Sequence, residues 1–176
     1  MKAASDNLVP VTLELGGKSP VIVDENADLS DVAKKVMRGK TMNAGQICLA
    51  PDYLMLPKGK SEEFAKASNE AVSEMFADLK YNEDYTSVIN ERHYERINEL
   101  VSDAKEKGAE VIQINPADED FEQQELHKIP PTLVLNPTDE MKIMQEEIFG
   151  PVLPVKEYDD FDETVNYVNS KDRPLG

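Results

Sequence analysis

The chain has 176 residues, 40% hydrophobic and 31% charged, enough to bury a sizeable core as one domain over residues 1–176. Its 35 acidic side chains outnumber 19 basic ones, and the formal charge of −16 opposes nucleic-acid phosphates and anionic membrane surfaces as partners. No stretch approaches the roughly 20 apolar residues of a membrane span, Met1 to Asn7 lacks the apolar middle of a signal peptide, and a lone cysteine cannot close an internal disulfide, so a reducing, cytoplasmic setting is expected.

Taken in chain order, Pro20 to Val23 reads as a short strand ending at the acidic turn Asp24-Glu25-Asn26. Leu29, Val32, Ala33, Val36 and Met37 recur at helical spacing, with Asp28 placed to cap the helix start. Gly39 weakens that helix near its end, and the chain runs on through Asn43 and Gly45 to Cys48. Tyr53 to Leu56 is the next strand, stopped by Pro57 and Gly59. Ser61 is placed to cap a second helix with the apolar stripe Phe64, Ala71, Val72, Met75, Phe76 and Leu79. Asn90 is placed to cap a third, with Ile97, Leu100, Val101 and Ala104 inward, Lys105 and Lys107 near its end and Gly108 as its stop. Val111 to Ile114 and Thr132 to Leu135 read as strands around a polar, acidic loop or hairpin, Asn115 to Pro131. Val152 to Val155 is a further strand and Asp162 to Asn169 a final helix. Strands alternating with helices predict an α/β fold with a mainly parallel sheet flanked by helices.

Three stretches carry candidate chemistry. Cys48 ends Asn43-Ala44-Gly45-Gln46-Ile47-Cys48, and its bland reading is a small buried hydrophobe. Gly45 and Gln46 interrupt the apolar period before it, and Pro51 forbids a continuous helix through it. These place the thiol on a helix-to-strand turn, the kind of position where function collects in α/β sheets, with backbone N–H groups able to stabilise a thiolate or an oxyanion. Glu14, in Leu13-Glu14-Leu15-Gly16-Gly17-Lys18-Ser19-Pro20, either faces solvent on an alternating strand or serves as a general base. In Glu146-Glu147-Ile148-Phe149-Gly150-Pro151-Val152, the bland assignment is Phe149 in the core and Glu147 on the surface. Gly17-Lys18-Ser19 has the tail of a phosphate-binding loop, but Thr12 stands where the earlier glycine is required and Pro20 breaks the following helix. His93 and His127 share no metal-ligand spacing with Cys48, so no metal site is expected.

These three motifs, in this order, resemble the catalytic core of the NAD(P)-dependent aldehyde dehydrogenases. The resemblance extends along the whole chain. It implies Cys48 as the nucleophile, Glu14 as the base that activates the hydrolytic water, Glu147 and Phe149 as residues at the nicotinamide ribose and ring, and Leu15 and Gly16 beside the nicotinamide. It also implies NAD or NADP as cofactor, an aldehyde substrate, a thiohemiacetal and then a thioester on Cys48, and a homo-oligomeric parent enzyme. In the family an asparagine amide and the backbone N–H of the cysteine hold the oxyanion. Leu49-Ala50-Pro51-Asp52-Tyr53 resembles the class 3 and coniferyl aldehyde dehydrogenase branch, which implies apolar, often aromatic or long-chain aldehydes. The family's Rossmann-type cofactor domain precedes the glutamate motif, whereas thirteen residues do so here, and the chain contains no G-x-G-x-x-G. An excised catalytic domain without dehydrogenase activity of its own is therefore expected. The alternatives are a non-catalytic acidic interaction domain, or a cofactor-independent thioesterase or esterase using the same Cys-Glu pair.

Overall fold

A computed structural model describes residues 1–122 and 125–176. After a short exposed helix α1 (Lys2–Asp6), the order is β1 (Pro20–Ile22), α2 (Leu29–Thr41), β2 (Tyr53–Pro57), α3 (Ser61–Met75), α4 (Glu91–Glu106), β3 (Glu110–Gln113), β4 (Thr132–Leu135), α5 (Lys142–Gln145), β5 (Val152–Tyr158) and α6 (Phe161–Asn169). The five strands form one sheet in the order β1-β2-β5-β4-β3. All pairs are parallel except β3 with β4, so the expected α/β, mainly parallel sheet is the observed one. The acidic stretch Asn115 to Pro131 is the connection of that antiparallel pair, with residues 123 and 124 lying outside the described residues.

Strand side chains alternate between two cores, as a pleated sheet covered on both faces requires. Leu54, Leu56, Leu133, Leu135, Leu153 and Val155 face α2 and α3, where Ala33, Val36, Met37, Phe64 and Val72 are buried. Tyr53, Met55, Val134 and Val152 face α4 and α5, against Ile97, Leu100, Ala104 and Ile143. Asp28 accepts the Ser30 N–H at the start of α2, and Asn90 accepts the His93 N–H at the start of α4, as their positions predict. Ser61 does not cap α3. It is the first helical residue, and its N–H and hydroxyl both donate to Glu157 of β5, a partner 96 residues away that local sequence could not reveal. Among the described residues no helix is long and apolar enough to cross a membrane.

Helix α6 is tied to the sheet through Asp139, which accepts hydrogen bonds from Lys171 (2.7 Å), the Tyr167 hydroxyl (2.7 Å) and Lys156 (3.0 Å). Both ammonium groups also lie over the Tyr167 ring, at 4.6 and 4.9 Å from its centroid. Partial burial pushes the Asp139 carboxyl up, but the three donors outweigh it and hold the pKa down to about 2. A depressed folded-state pKa contributes stability above the ordinary carboxylate range and loses it on acidification. The stability gap between wild type and Asp139→Asn should therefore be complete above about pH 4 and close as the pH falls towards 2. Solvent screening limits that gap to about 1 kcal/mol. Acid titrations of both proteins by circular dichroism measure it, and a gap that persists undiminished at pH 2 would contradict it.

Candidate active site

The strands β1, β2 and β5 are neighbours and run in the same direction, so their starts lie along one rim of the sheet. Leu13 to Ser19 runs into β1, Asn43 to Asp52 runs into β2, and Glu146 to Pro151 runs into β5. Parallel pairing thus brings the three candidate motifs, far apart in sequence, to a single edge. It is the amino-terminal edge. Cys48 does lie on a helix-to-strand turn, but such a turn necessarily precedes its strand, whereas ligands of open parallel sheets more usually gather beyond the carboxyl ends.

Helix α2 stops abruptly because a tight 3-10 turn, Met42–Gly45, reverses the chain with Asn43, Ala44 and Gly45 all at positive φ (50°, 51° and 71°). The Asn43 side chain donates to the Gln46 carbonyl, and the Gln46 amide returns the bond to Asn43 and also reaches the Ser87 carbonyl. The Gln46 side-chain oxygen accepts the Ile89 N–H at 2.9 Å, so this side chain anchors the turn to the loop before α4. Cys48 and Leu49 then occupy the centre of a turn closed by Ala50 N–H donating to Ile47 C=O (2.9 Å). The Cys48 thiol is free and half-buried, and among the described residues its own N–H makes no hydrogen bond. Beyond the turn, Pro51 packs against Gly39, and its carbonyl accepts from the buried Lys40 ammonium at 2.7 Å. Burial lowers the Lys40 pKa to about 8, against the opposing charge of Asp52.

The third motif is held by its backbone. Lys18 donates to the carbonyls of Ile143 (2.7 Å) and Glu146 (3.0 Å) and pairs with the nearly buried carboxylate of Asp52. The other Asp52 oxygen accepts the Ile148 N–H at 2.8 Å. One ion pair thus joins all three motifs. Arg96 of α4 donates to the Ile148 carbonyl at 2.5 Å and, more weakly, to that of Glu147 at 3.4 Å. Phe149 follows at φ +48°, its ring 40% exposed, and Gly150 lies so close to Gly45 that a Cβ on Gly45 would collide with the Gly150 carbonyl.

Of the residues singled out in sequence, Glu147 and Gly16 are in direct contact: a side chain on Gly16 would overlap the Glu147 carboxylate. Glu14 and Leu15 are exposed on the irregular stretch that leads into β1. A cavity of about 470 Å³, lined by Gly16, Lys18, Tyr53, Glu147, Tyr167 and Arg173 among others, opens beside the Gly16–Glu147 contact, and Cys48 is not on its wall. Sequence reasoning missed Lys18, Asp52 and Arg96. Lys18 was set aside with a false phosphate-loop pattern, Asp52 served only as a branch marker, and Arg96 lies on an ordinary amphipathic helix. The one available signal was a charged residue, Asp52, directly ahead of an apolar strand. Among the described residues no cluster of His, Cys, Asp and Glu side chains is placed to hold a metal ion.

The profile of the "Aldehyde dehydrogenase family" matches residues 1–176. Over 175 residues the chain is 62% identical to a Caulobacter vibrioides protein described as "Probable coniferyl aldehyde dehydrogenase", covering 99% of this chain and 36% of that one. Among solved structures it is similar to the substrate-bound state of Staphylococcus aureus AldH, with a TM-score of 0.87 and 36% identity over 99% of this chain and 36% of that one. It is also similar to 3,6-anhydro-L-galactose dehydrogenase in complex with NAP, with a TM-score of 0.81 and 31% identity over 97% and 36% of the respective chains. The chain therefore spans about a third of the length of these relatives.

Proposed function

The chain belongs to the aldehyde dehydrogenase family, and on that premise we propose that residues 1–176 form the catalytic domain of an enzyme that oxidises aldehydes to carboxylic acids with NAD(P)+. The observation that carries this reading is the convergence of the Gly16–Lys18 stretch that follows Glu14, the turn that carries Cys48 and the Glu146–Phe149 segment on one rim of the sheet, tied together by the Lys18–Asp52 pair. Likeness to a protein described as a coniferyl aldehyde dehydrogenase supports aromatic or otherwise apolar aldehydes as the substrate class.

In the proposed reaction the Cys48 thiolate adds to the aldehyde carbon, and the carbonyl π electrons move to oxygen to give a thiohemiacetal anion. The unpaired N–H of Cys48 is suited to hold that oxyanion. The nicotinamide end of the cofactor fits the residues present, because the absence of a side chain at Gly16 lets the Glu147 carboxylate lie against its backbone at the wall of a cavity of about 470 Å³, and Phe149, two residues on, is 40% exposed. Glu147, Gly16 and Phe149 would hold that end, with Leu15 alongside, and the bound ring supplies the two-electron acceptor that leaves Cys48 as a thioester. Glu14 then takes a proton from water as the water oxygen attacks the thioester carbon, and collapse releases the acid and the Cys48 thiolate. Solvent exposure of Glu14 suits a residue that must meet water.

The remaining cofactor contacts are proposed to come from a Rossmann-type domain of the same polypeptide. The apolar side chains of Leu8, Val9, Val11, Leu13 and Leu15, between 47% and 93% exposed, support a surface that such a domain covers. The 176 residues alone are proposed to label at Cys48 but not to turn over NAD(P)+. With the complete enzyme, NAD(P)H formation should follow addition of cinnamyl aldehydes, with kcat/KM about tenfold or more above that for acetaldehyde. Acyl-thioester hydrolysis that needs no cofactor, with no aldehyde oxidised, would instead establish the thioesterase reading.

A further inference from the structure

Phe149 is a bulky residue in the left-handed region, which costs about 1–2 kcal/mol and persists only where its surroundings enforce it. The enforcement is visible on both sides. Ahead of it, three charged side chains from three distant parts of the chain grip the backbone of residues 146–148: Lys18 on the Glu146 carbonyl, Asp52 on the Ile148 N–H and Arg96 on the Ile148 carbonyl. Behind it, Gly150 is pressed between the Ile97 side chain and the backbone at Gly45. Lys18 and Asp52 also neutralise each other and join the three motifs, so they serve the whole rim. Arg96 has no such second duty. Its guanidinium reaches across from α4 with both terminal nitrogens directed to the two carbonyls that precede Phe149.

We propose that Arg96 is a positioning residue that locks the Glu147–Ile148 backbone, so that Phe149 is held left-handed with its ring set where the nicotinamide packs. This rests on the reading of Phe149 given under Proposed function. Arg96 itself touches no reacting atom. A point-charge lysine cannot reproduce two directed bonds from one planar group, so Arg96→Lys should keep the fold and lose much of the lock.

The test has two arms. In the first, the 176-residue chain is labelled with fluorophenylalanine, and the Phe149 signal is assigned by its loss in Phe149→Leu. Wild type should show one sharp Phe149 resonance. In Arg96→Lys and Arg96→Met that resonance should broaden or move towards its unfolded position, while the other four phenylalanine signals stay put. In the second arm, the complete enzyme carrying Arg96→Lys should show a KM for NAD(P)+ raised about tenfold or more, while the rate of Cys48 alkylation by iodoacetamide is unchanged. An unmoved Phe149 signal in both Arg96 variants overturns the proposal whatever the enzyme does. A displaced Phe149 with an unchanged cofactor KM also overturns it, provided Phe149→Leu does raise that KM. If Phe149→Leu leaves the KM unchanged as well, the failure lies with the role given to Phe149, and the proposal falls with it. Arg96→Met that unfolds while Arg96→Lys behaves as wild type in both arms marks Arg96 as a purely structural residue.

Discussion

In the complete enzyme, replacing Cys48 with alanine should abolish aldehyde-dependent NAD(P)H formation, lowering kcat by about 10⁴-fold or more, because the covalent adduct of the proposed reaction forms on its thiol. The same substitution should leave the protein folded. Cys48 is half-buried at the centre of a turn whose shape is fixed by Gln46, Lys40 and the Ile47–Ala50 bond, none of which uses the thiol. Its loss should change stability by less than about 1 kcal/mol. Enzyme kinetics and a thermal melt of the same preparation separate the two effects. Iodoacetamide should label the wild-type 176-residue chain once and its variant not at all, since that chain holds a single cysteine. A variant retaining a tenth of wild-type turnover would remove the thiol from the mechanism. Serine at the same position is a useful companion, for it keeps the size of the group while offering a far weaker nucleophile.

Gly45→Ala should produce the opposite pattern, a large loss of stability from one added carbon. At φ +71° any L side chain incurs about 1–2 kcal/mol. Here the new Cβ would also meet the Gly150 carbonyl and approach that of Lys40 at 3.2 Å, both backbone atoms with no rotamer to yield. The two terms together should cost roughly 3 kcal/mol or more. Gly59 supplies the control. Its φ is +76°, yet a Cβ there would meet nothing within 4 Å, so Gly59→Ala should show the conformational penalty alone. Urea melts of the two variants measure the difference. Equal destabilisation would show that the approach of the turn to the Glu146–Gly150 segment carries no energy. Because Gly45 sits between the Cys48 turn and Phe149, whatever fraction of Gly45→Ala stays folded should also bind cofactor and aldehyde poorly.

The sequence and the structure agree where the governing interactions are local. The Asp28 and Asn90 caps, the stop at Gly108 and the strand at Thr132–Leu135 follow from residues within a few positions of one another. The α/β class followed from the alternation of elements, and the motifs resembling the aldehyde dehydrogenases pointed to the family whose profile matches the chain. The sheet order was not legible, since β5 inserts between β2 and β4 and its partners on β2 are 101 residues away in sequence. Ser61 was misread for the same reason, its partner being Glu157 across the sheet. The clamps at Lys18, Asp52 and Arg96 escaped because each is a side chain bonded largely to distant backbone, and backbone acceptors leave no mark in a sequence. Phe149 was expected beside the nicotinamide, but its left-handed conformation depends on those clamps and could not be anticipated.

With the Cys48 turn and the Glu146–Gly150 segment both on the amino-terminal rim, the molecule should be unequally tolerant of insertions. A residue added between Leu49 and Asp52 would displace the thiol relative to the anchored strand β2. Residues added at the opposite end of the same strand, in the open Lys58-Gly59 reversal, would lengthen only a distant loop. A purification tag, a fluorescent label or a fused domain belongs there, at the end of the strand opposite the Cys48 turn.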